Sequence, residues 1–148
     1  MSAGSHRLFL AIAALAILGI AVSGISLDHH FRKTKTGYCD FGQSFNCDLV
    51  NRSEYSTLAG VPVALIGVLG YAALLAFATL YRSKAETPAI LLVGSVAGLG
   101  FALYLTYIEK FVLFAWCMLC LASLAIISII TLLCLLLVCR PQGLSQAE

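Results

Sequence analysis

Four apolar stretches, each about as long as a bilayer is thick, constrain this chain more than any other feature. A helix needs about 20 apolar residues to cross the hydrocarbon core. Residues 8–27, 61–81, 89–108 and 115–138 meet that length. In lipid the backbone must satisfy its own hydrogen bonds, so each stretch is expected to be a helix. Pro62 opens the second stretch and Pro88 precedes the third, where a missing N–H costs least. The composition agrees: 61% of the 148 residues are hydrophobic and only 11% charged, too apolar for a soluble domain of this length. The expected fold is an all-α integral membrane protein, a single domain over residues 1–148 built as a four-transmembrane-helix bundle. A net charge of +2, with no basic cluster interleaved with aromatics, points away from a nucleic-acid partner.

The first stretch has a second reading. Arg7 before an apolar core and the small residues Ala21-Val22-Ser23 suit a cleaved signal peptide, although the run continues to Leu27, which favours a retained anchor. The connections are unequal. Residues 28–60 form a long polar loop, expected to carry a short surface helix; 82–87 is a short link; 109–114 is expected to be a tight turn. Four crossings place the first and third connections on one face. Cys39 and Cys47 lie in the long loop, and Cys117 and Cys120 open the fourth helix beside the third connection. Both pairs are therefore expected at one rim of the bundle. Cys134 and Cys139 sit at the far end of the fourth helix. A rise of about 1.5 Å per residue puts Cys134 roughly 25 Å from Cys117. A disulfide needs Cα atoms within about 7 Å, so packing is the expected role of these two. Basic residues are split between the two faces, and the positive-inside rule does not choose between orientations. A working disulfide pair suits an oxidising compartment, which favours placing both pairs outside the cytoplasm.

The stretch Trp116-Cys117-Met118-Leu119-Cys120 puts a Cys-x-x-Cys at a helix start. Cys117 in the first turn would meet free N–H groups and the positive end of the helix dipole, which favour a thiolate. Cys120, one turn further in, would face the bundle. That arrangement suits electron transfer between a protein and a lipid-soluble acceptor; structural cysteines and half of a zinc site are the other readings of the motif. Seven mostly small or polar residues, Gly42 and Ser44 among them, separate Cys39 from Cys47, so this loop can both close a disulfide and swing. Asn46 is placed to cap a helix beginning at Cys47, with Leu49, Val50 and Leu58 giving it an apolar side for the membrane surface.

The order Cys39, Cys47, Ser53, Gly60-Val61-Pro62 and Trp116-Cys117-Met118-Leu119-Cys120 resembles the vitamin K epoxide reductase family, most of all its bacterial members. The resemblance covers roughly residues 28–123. It implies a four-helix bundle around a quinone, ubiquinone or menaquinone, in a bacterial inner membrane. It assigns Cys117 and Cys120 as the active pair and Cys39 and Cys47 as the shuttle pair, both on the extracytoplasmic side. Many bacterial relatives carry a fused thioredoxin-like domain. This chain ends at Glu148 without one, so a separate periplasmic or extracytoplasmic thiol protein of thioredoxin fold is the expected electron donor. The insertion of animal members between the serine and the second helix is absent, which argues against vitamin K epoxide as substrate. On this resemblance a partner attacks Cys47, Cys39 then attacks Cys117, and Cys120 reduces the quinone.

Other residues have paired readings. Ser53 either holds the loop or a quinone oxygen, or is a solvated hydroxyl. Phe111, Phe114 and Trp116 either cover a quinone ring or belong to an interfacial belt. Tyr104 and Tyr107 either donate to a quinone oxygen or anchor at the interface. Glu109 is expected to pair with Lys110 or Arg52, or to be solvated, and His29 and His30 to face lipid or water. Gly94 and Gly98 are expected to serve close helix packing. The leading function is a membrane thiol-disulfide oxidoreductase that supports disulfide formation. The alternative is a soft-metal carrier or transporter using cysteine thiolates, which would want more Met, Cys or His along the spans than a chain with two methionines offers.

Overall fold

Each apolar run forms a helix, and the polar loop folds back onto the helix ends. The computed structural model describes residues 3–32, 40–41 and 44–139. Helix α1 spans Ala3–Phe31, α2 Cys47–Asn51, α3 Val63–Leu80, α4 Thr87–Ile108 and α5 Met118–Cys139. Four of these, with α4 extended to Leu113, are long and apolar enough to cross a membrane, and the chain is an integral membrane protein. The shortest, α3, has 18 residues, a rise of about 27 Å that matches the hydrocarbon core.

The long helices form a closed ring. Helix α1 packs on α3 and α5, and α4 packs on α5 and α3. At the centre Ile12, Ala16, Leu91, Ile130 and Cys134 are wholly buried. Leu10, Ile17, Val93 and Leu132 point outward and are more than half exposed, an arrangement that hydrocarbon tolerates and water does not. Small residues let the helices approach. A Cβ on Gly98 would come within 3.3 Å of Ile127, and one on Gly94 within 3.4 Å of Leu74, as the packing role expected for these glycines requires. The closest approach is at Gly19, where a Cβ would lie 2.5 Å from the Tyr71 ring. The Tyr71 hydroxyl crosses to α5, where it donates to the Ser123 carbonyl at 3.0 Å and lies 2.9 Å from its Oγ.

The loop is built from short pieces. Strands β1 (Asp40–Phe41) and β2 (Phe45–Asn46) pair antiparallel. Asn46 caps α2 as expected, its side chain accepting the Leu49 N–H at 2.9 Å. Helix α2 is shorter than the expected surface segment: it gives way to a turn of 3₁₀ helix, Glu54–Ser56, then to strands β3 (Thr57–Leu58) and β4 (Val61–Pro62). The β3–β4 hairpin turns on Ala59 and Gly60, both with positive φ, which gives a two-residue reversal the twist that its strands need.

Three expectations change. The third connection is not a tight turn: α4 runs on as a π-helical turn, Glu109–Leu113, ended by Phe114 in the left-handed region at φ 51. The fourth span begins at Met118, three residues after Ala115, because Ala115 and Trp116 are engaged by other backbone groups instead. His29 and His30 face neither lipid nor bulk water. His29 is 2% exposed and stands 3.6 Å from Asp48, and His30 bonds the Asn51 carbonyl at 2.6 Å. Helix α1 has outrun its apolar stretch, and polar α2 covers the overhang.

Replacing Gly19 by alanine drives a methyl group into the Tyr71 ring. Gly19→Ala is expected to destabilise the bundle by about 1–3 kcal/mol, read as a lower thermal midpoint in detergent. A smaller loss when Tyr71→Leu is already present would identify the clash as the cause.

Candidate functional site

The loop reaches the Cys-x-x-Cys motif through backbone pairing. Phe45 forms a parallel bridge with Trp116. The Asn46 N–H donates to the Trp116 carbonyl at 3.1 Å, and the Trp116 N–H donates to the Ser44 carbonyl at 2.9 Å. Just beyond these partners stand Cys47 and Cys117. Cys47, Val50, Ala115 and Cys117 make one buried cluster, with Leu113, Leu119 and Cys120 packed against it. Both Cys47 and Cys117 are 0% exposed. Cys47 is disulfide-bonded, whereas Cys117 and Cys120 are free thiols. Cys39 lies outside the described residues. The loop cysteine Cys47 and the helix pair thus meet at one rim, as counting crossings implied. Cys134 is buried in the distant core and Cys139 is exposed beyond it.

Cys117 sits at the threshold of α5, its carbonyl accepting the Leu121 N–H at 3.0 Å. Its thiol is held below the ordinary cysteine value, chiefly because the Cys120 thiol hydrogen-bonds to it. The first-turn amides of Cys120 and Leu119 push the same way, while burial and the charge of Glu109 oppose. This is the thiolate-favouring environment anticipated for a cysteine at a helix start.

Beside Cys120 lies a cavity of about 370 Å³, within the range of small-molecule sites. It occupies the loop-side half of the bundle. Apolar side chains of α3, α4 and α5 form most of its wall, and Ser26, His30, Asn51, Ser53, Glu109 and Ser123 supply polar groups. Several of these are tied down. Ser26 donates to the Asn51 side-chain oxygen at 2.8 Å, and Ser53 donates to the Val50 carbonyl at 2.8 Å. The Nδ2 of Asn51 is buried with no partner among the described residues.

Of the residues singled out from the sequence, Cys120 and Ser53 line this cavity. Phe114, Trp116 and Tyr104 do not: Phe114 is 79% exposed, Tyr104 is 57% exposed above a separate shallow depression, and Trp116 serves through its backbone. Glu109 is neither solvated nor paired with Lys110 or Arg52. It is 2% exposed, and its Oε2 accepts the Cys117 N–H at 3.2 Å. The site therefore includes three groups that the sequence did not place there: Asn51, which sequence reasoning passed over, and His30 and Glu109, for which it expected other surroundings. A carboxylate eight residues before Cys117, inside an apolar run, was the available signal for the last. Among the described residues no group of three or more His, Cys, Asp or Glu is arranged to hold a metal ion.

Alkylation offers a direct check on the Cys117 environment. In reduced protein, iodoacetamide labelling of Cys117 followed against pH by peptide mass analysis should reach half its maximal rate below about pH 8.5, the ordinary thiol value. Cys120→Ala removes the principal donor to the sulfur and should move that midpoint upward.

A family model described as the vitamin K epoxide reductase family matches residues 10–136 of the chain. No curated protein matches it.

Proposed function

The chain belongs to the vitamin K epoxide reductase family, membrane thiol oxidoreductases that reduce a quinone, and on that premise we propose that it relays electrons from an extracytoplasmic thiol protein to ubiquinone or menaquinone. The donor is a protein of thioredoxin fold, and the relay supports disulfide formation. Both cysteine pairs face the outside of a bacterial inner membrane, the compartment where protein disulfides persist. The observation that carries this reading is the pairing of Phe45 and Asn46 with Trp116, which brings Cys47 into one buried cluster with Cys117.

The steps are thiolate exchanges through mixed disulfides. A thiolate of the donor attacks the Cys39–Cys47 disulfide, and the donor's second thiol completes its own disulfide, leaving Cys39 and Cys47 as thiols. Cys47 attacks Cys117 in the Cys117–Cys120 disulfide, and Cys120 leaves as a thiolate. Cys39 attacks Cys47 in the mixed disulfide, restoring the loop disulfide and freeing Cys117. This order exchanges the roles that the resemblance suggested for the loop cysteines. The burial of Cys47, which has no exposed surface, supports this order, with Cys39 as the sulfur that meets the partner.

The residues around the cavity suit a quinone. Apolar walls accept the ring and its prenyl tail, and Cys120 lies in the lining. The unpartnered Nδ2 of Asn51 is a buried donor available to a carbonyl oxygen, a group that would otherwise cost about 1–3 kcal/mol to leave unsatisfied. A bound quinone accepts two electrons from the Cys117–Cys120 pair as that pair closes to a disulfide, and takes up two protons.

The relay is tested by trapping. Cys120→Ser leaves Cys117 without its partner sulfur, so the Cys117 thiolate can attack only the loop disulfide, and peptide mapping should recover a Cys47–Cys117 disulfide. A Cys39–Cys117 bond would instead restore the opposite order. Cys47→Ser should abolish quinone reduction driven by a reduced thioredoxin-fold protein, while reduction driven by dithiothreitol persists. Loss of both Cys117 and Cys120 should abolish the two together.

A further inference from the structure

The dithiol must release protons inside an apolar bundle, and the structure points to Glu109 as the group that holds one of them. We propose that Glu109 is a proton store for the Cys117–Cys120 pair: protonated when the pair is reduced, and a carboxylate once the pair has been oxidised. The proposal rests on the quinone-reductase reading above and adds to it the route of one proton.

The geometry supplies three independent supports. First, Glu109 is buried beside the motif. It is 2% exposed, its Oε2 accepts the Cys117 N–H, and its backbone carbonyl accepts the Ala115 N–H at 3.2 Å. Second, its Oε1 is buried without a hydrogen bond of ordinary geometry among the described residues, and the nearby Cys120 thiol interacts with the carboxyl. An oxygen placed in this way suits a carboxyl that gains and loses a proton, rather than a purely structural acceptor. Third, Glu109 lines the cavity with Cys120. The π-helical turn that begins at Glu109 produces this placement: Lys110, Phe111 and Val112 remain exposed, while Glu109 turns inward. Inserted turns of this kind recur where a helix re-aims a functional side chain.

The charges at the site suit such a store. Cys117 favours its thiolate, and a carboxylate held against it in a poorly solvated site would put two like charges side by side. Among the described residues no lysine or arginine lines the cavity. The other titratable groups there are His30 on α1, Tyr55 beyond α2, Tyr71 on α3 and Cys120 on α5. His30 donates from Nδ1 to the Asn51 carbonyl, and Tyr71 is engaged by Ser123. The reduced site is thus Cys117 thiolate, Cys120 thiol and protonated Glu109. In the oxidation step the two sulfurs join and give up two electrons. The Cys120 S–H bond and the Glu109 O–H bond break, two O–H bonds form on the quinone, and Glu109 ends as a carboxylate. One negative charge stands on each side of the step, so atoms and charge balance.

Glu109→Gln separates proton storage from positioning. Glutamine keeps a carbonyl oxygen for the Cys117 N–H but cannot take up a proton. The full-length protein is reduced, mixed with ubiquinone-1 in detergent, and a single turnover is followed by quinone absorbance. The first-order rate constant of Glu109→Gln should fall by about 100-fold, in the range typical of a lost proton-transfer group. Formation of the trapped Cys47–Cys117 disulfide in a Cys120→Ser background should remain unchanged. An infrared difference spectrum of the wild-type protein, reduced minus oxidised, should show a protonated-carboxyl band that Glu109→Gln lacks; this measurement does not depend on how well the variant turns over. A Glu109→Gln rate constant equal to wild type, or a wild-type spectrum without the band, overturns the proton store while leaving the quinone reading intact. A wild-type protein that exchanges thiols but does not reduce ubiquinone-1 overturns both.

Discussion

Two backbone hydrogen bonds, from Asn46 to Trp116 and from Trp116 to Ser44, hold the redox centre together. They belong to no long helix and are made by a loop strand only two residues long. They nevertheless set the register between two segments about 70 positions apart, and register decides which side chains become neighbours. With Phe45 opposite Trp116, the parallel pairing brings Cys47 to Cys117. A slip of one position would reverse the faces of the strand that leads into Cys47 and carry the start of α2 away from the motif. At about 1 kcal/mol net per hydrogen bond, the pairing amounts to about 2 kcal/mol, enough to define an arrangement and little enough to let it open. The proposed relay, swinging between a partner and a buried acceptor, needs both properties.

The rest of the loop is anchored through polar groups that a membrane would otherwise penalise. Ser26 and His30 on α1 grip the side chain and carbonyl of Asn51 on α2, Tyr71 on α3 grips Ser123 on α5, and Glu109 grips the amide of Cys117. Each bond joins two different elements. In a low-dielectric setting such bonds are strong when made and costly when missing. They gather in the loop-side half of the bundle, whereas the opposite half is closed by Phe9, Ile12, Leu91, Ile130 and Leu137. The cavity occupies the polar half because only there do helix ends, loop and side chains of mixed chemistry fail to fill space as aliphatic residues do. The same gradient that seats the loop therefore creates the room beside Cys120.

How much of this was legible depended on how coarse the feature was. The four spans can be read from run length, and the shared rim of Cys47 and Cys117 from the parity of crossings; neither needs a residue placed to better than a turn. The Asn46 cap was legible too, because capping is local chemistry. Glu109 was not, since its direction depends on a π turn. Inserting one residue into a helical turn rotates the downstream side chains by about 100°, and no spacing of apolar residues announces it. Phe114, Trp116 and Tyr104 misled for a different reason: aromatic residues at a membrane rim are equally at home facing lipid, and Phe114 and Tyr104 do face outward. His30 reads as a lipid-facing or solvated residue, and Asn51 carries no signal of its own, until α2 folds over the end of α1.

In the proposed relay, burial of Cys47 and Cys117 bears on selectivity. A chain of thiolate exchanges between a protein donor and a membrane acceptor can be short-circuited by any small thiol that reaches an intermediate disulfide. Neither Cys47 nor Cys117 presents surface to solvent, so a mixed disulfide between them would be shielded from such thiols, whereas the partly exposed Cys120 leaves its own pair open to a small reductant. Water is also kept from the Cys117 thiolate, which makes its stabilisation depend on the fixed donors around it: the Cys120 thiol and the first-turn amides of α5. Those donors are aligned by the same turn that Glu109 fastens through the Cys117 amide. Access, thiolate stability and the proposed proton supply thus depend on one short stretch, Glu109 to Cys120, and on the loop strand paired with it.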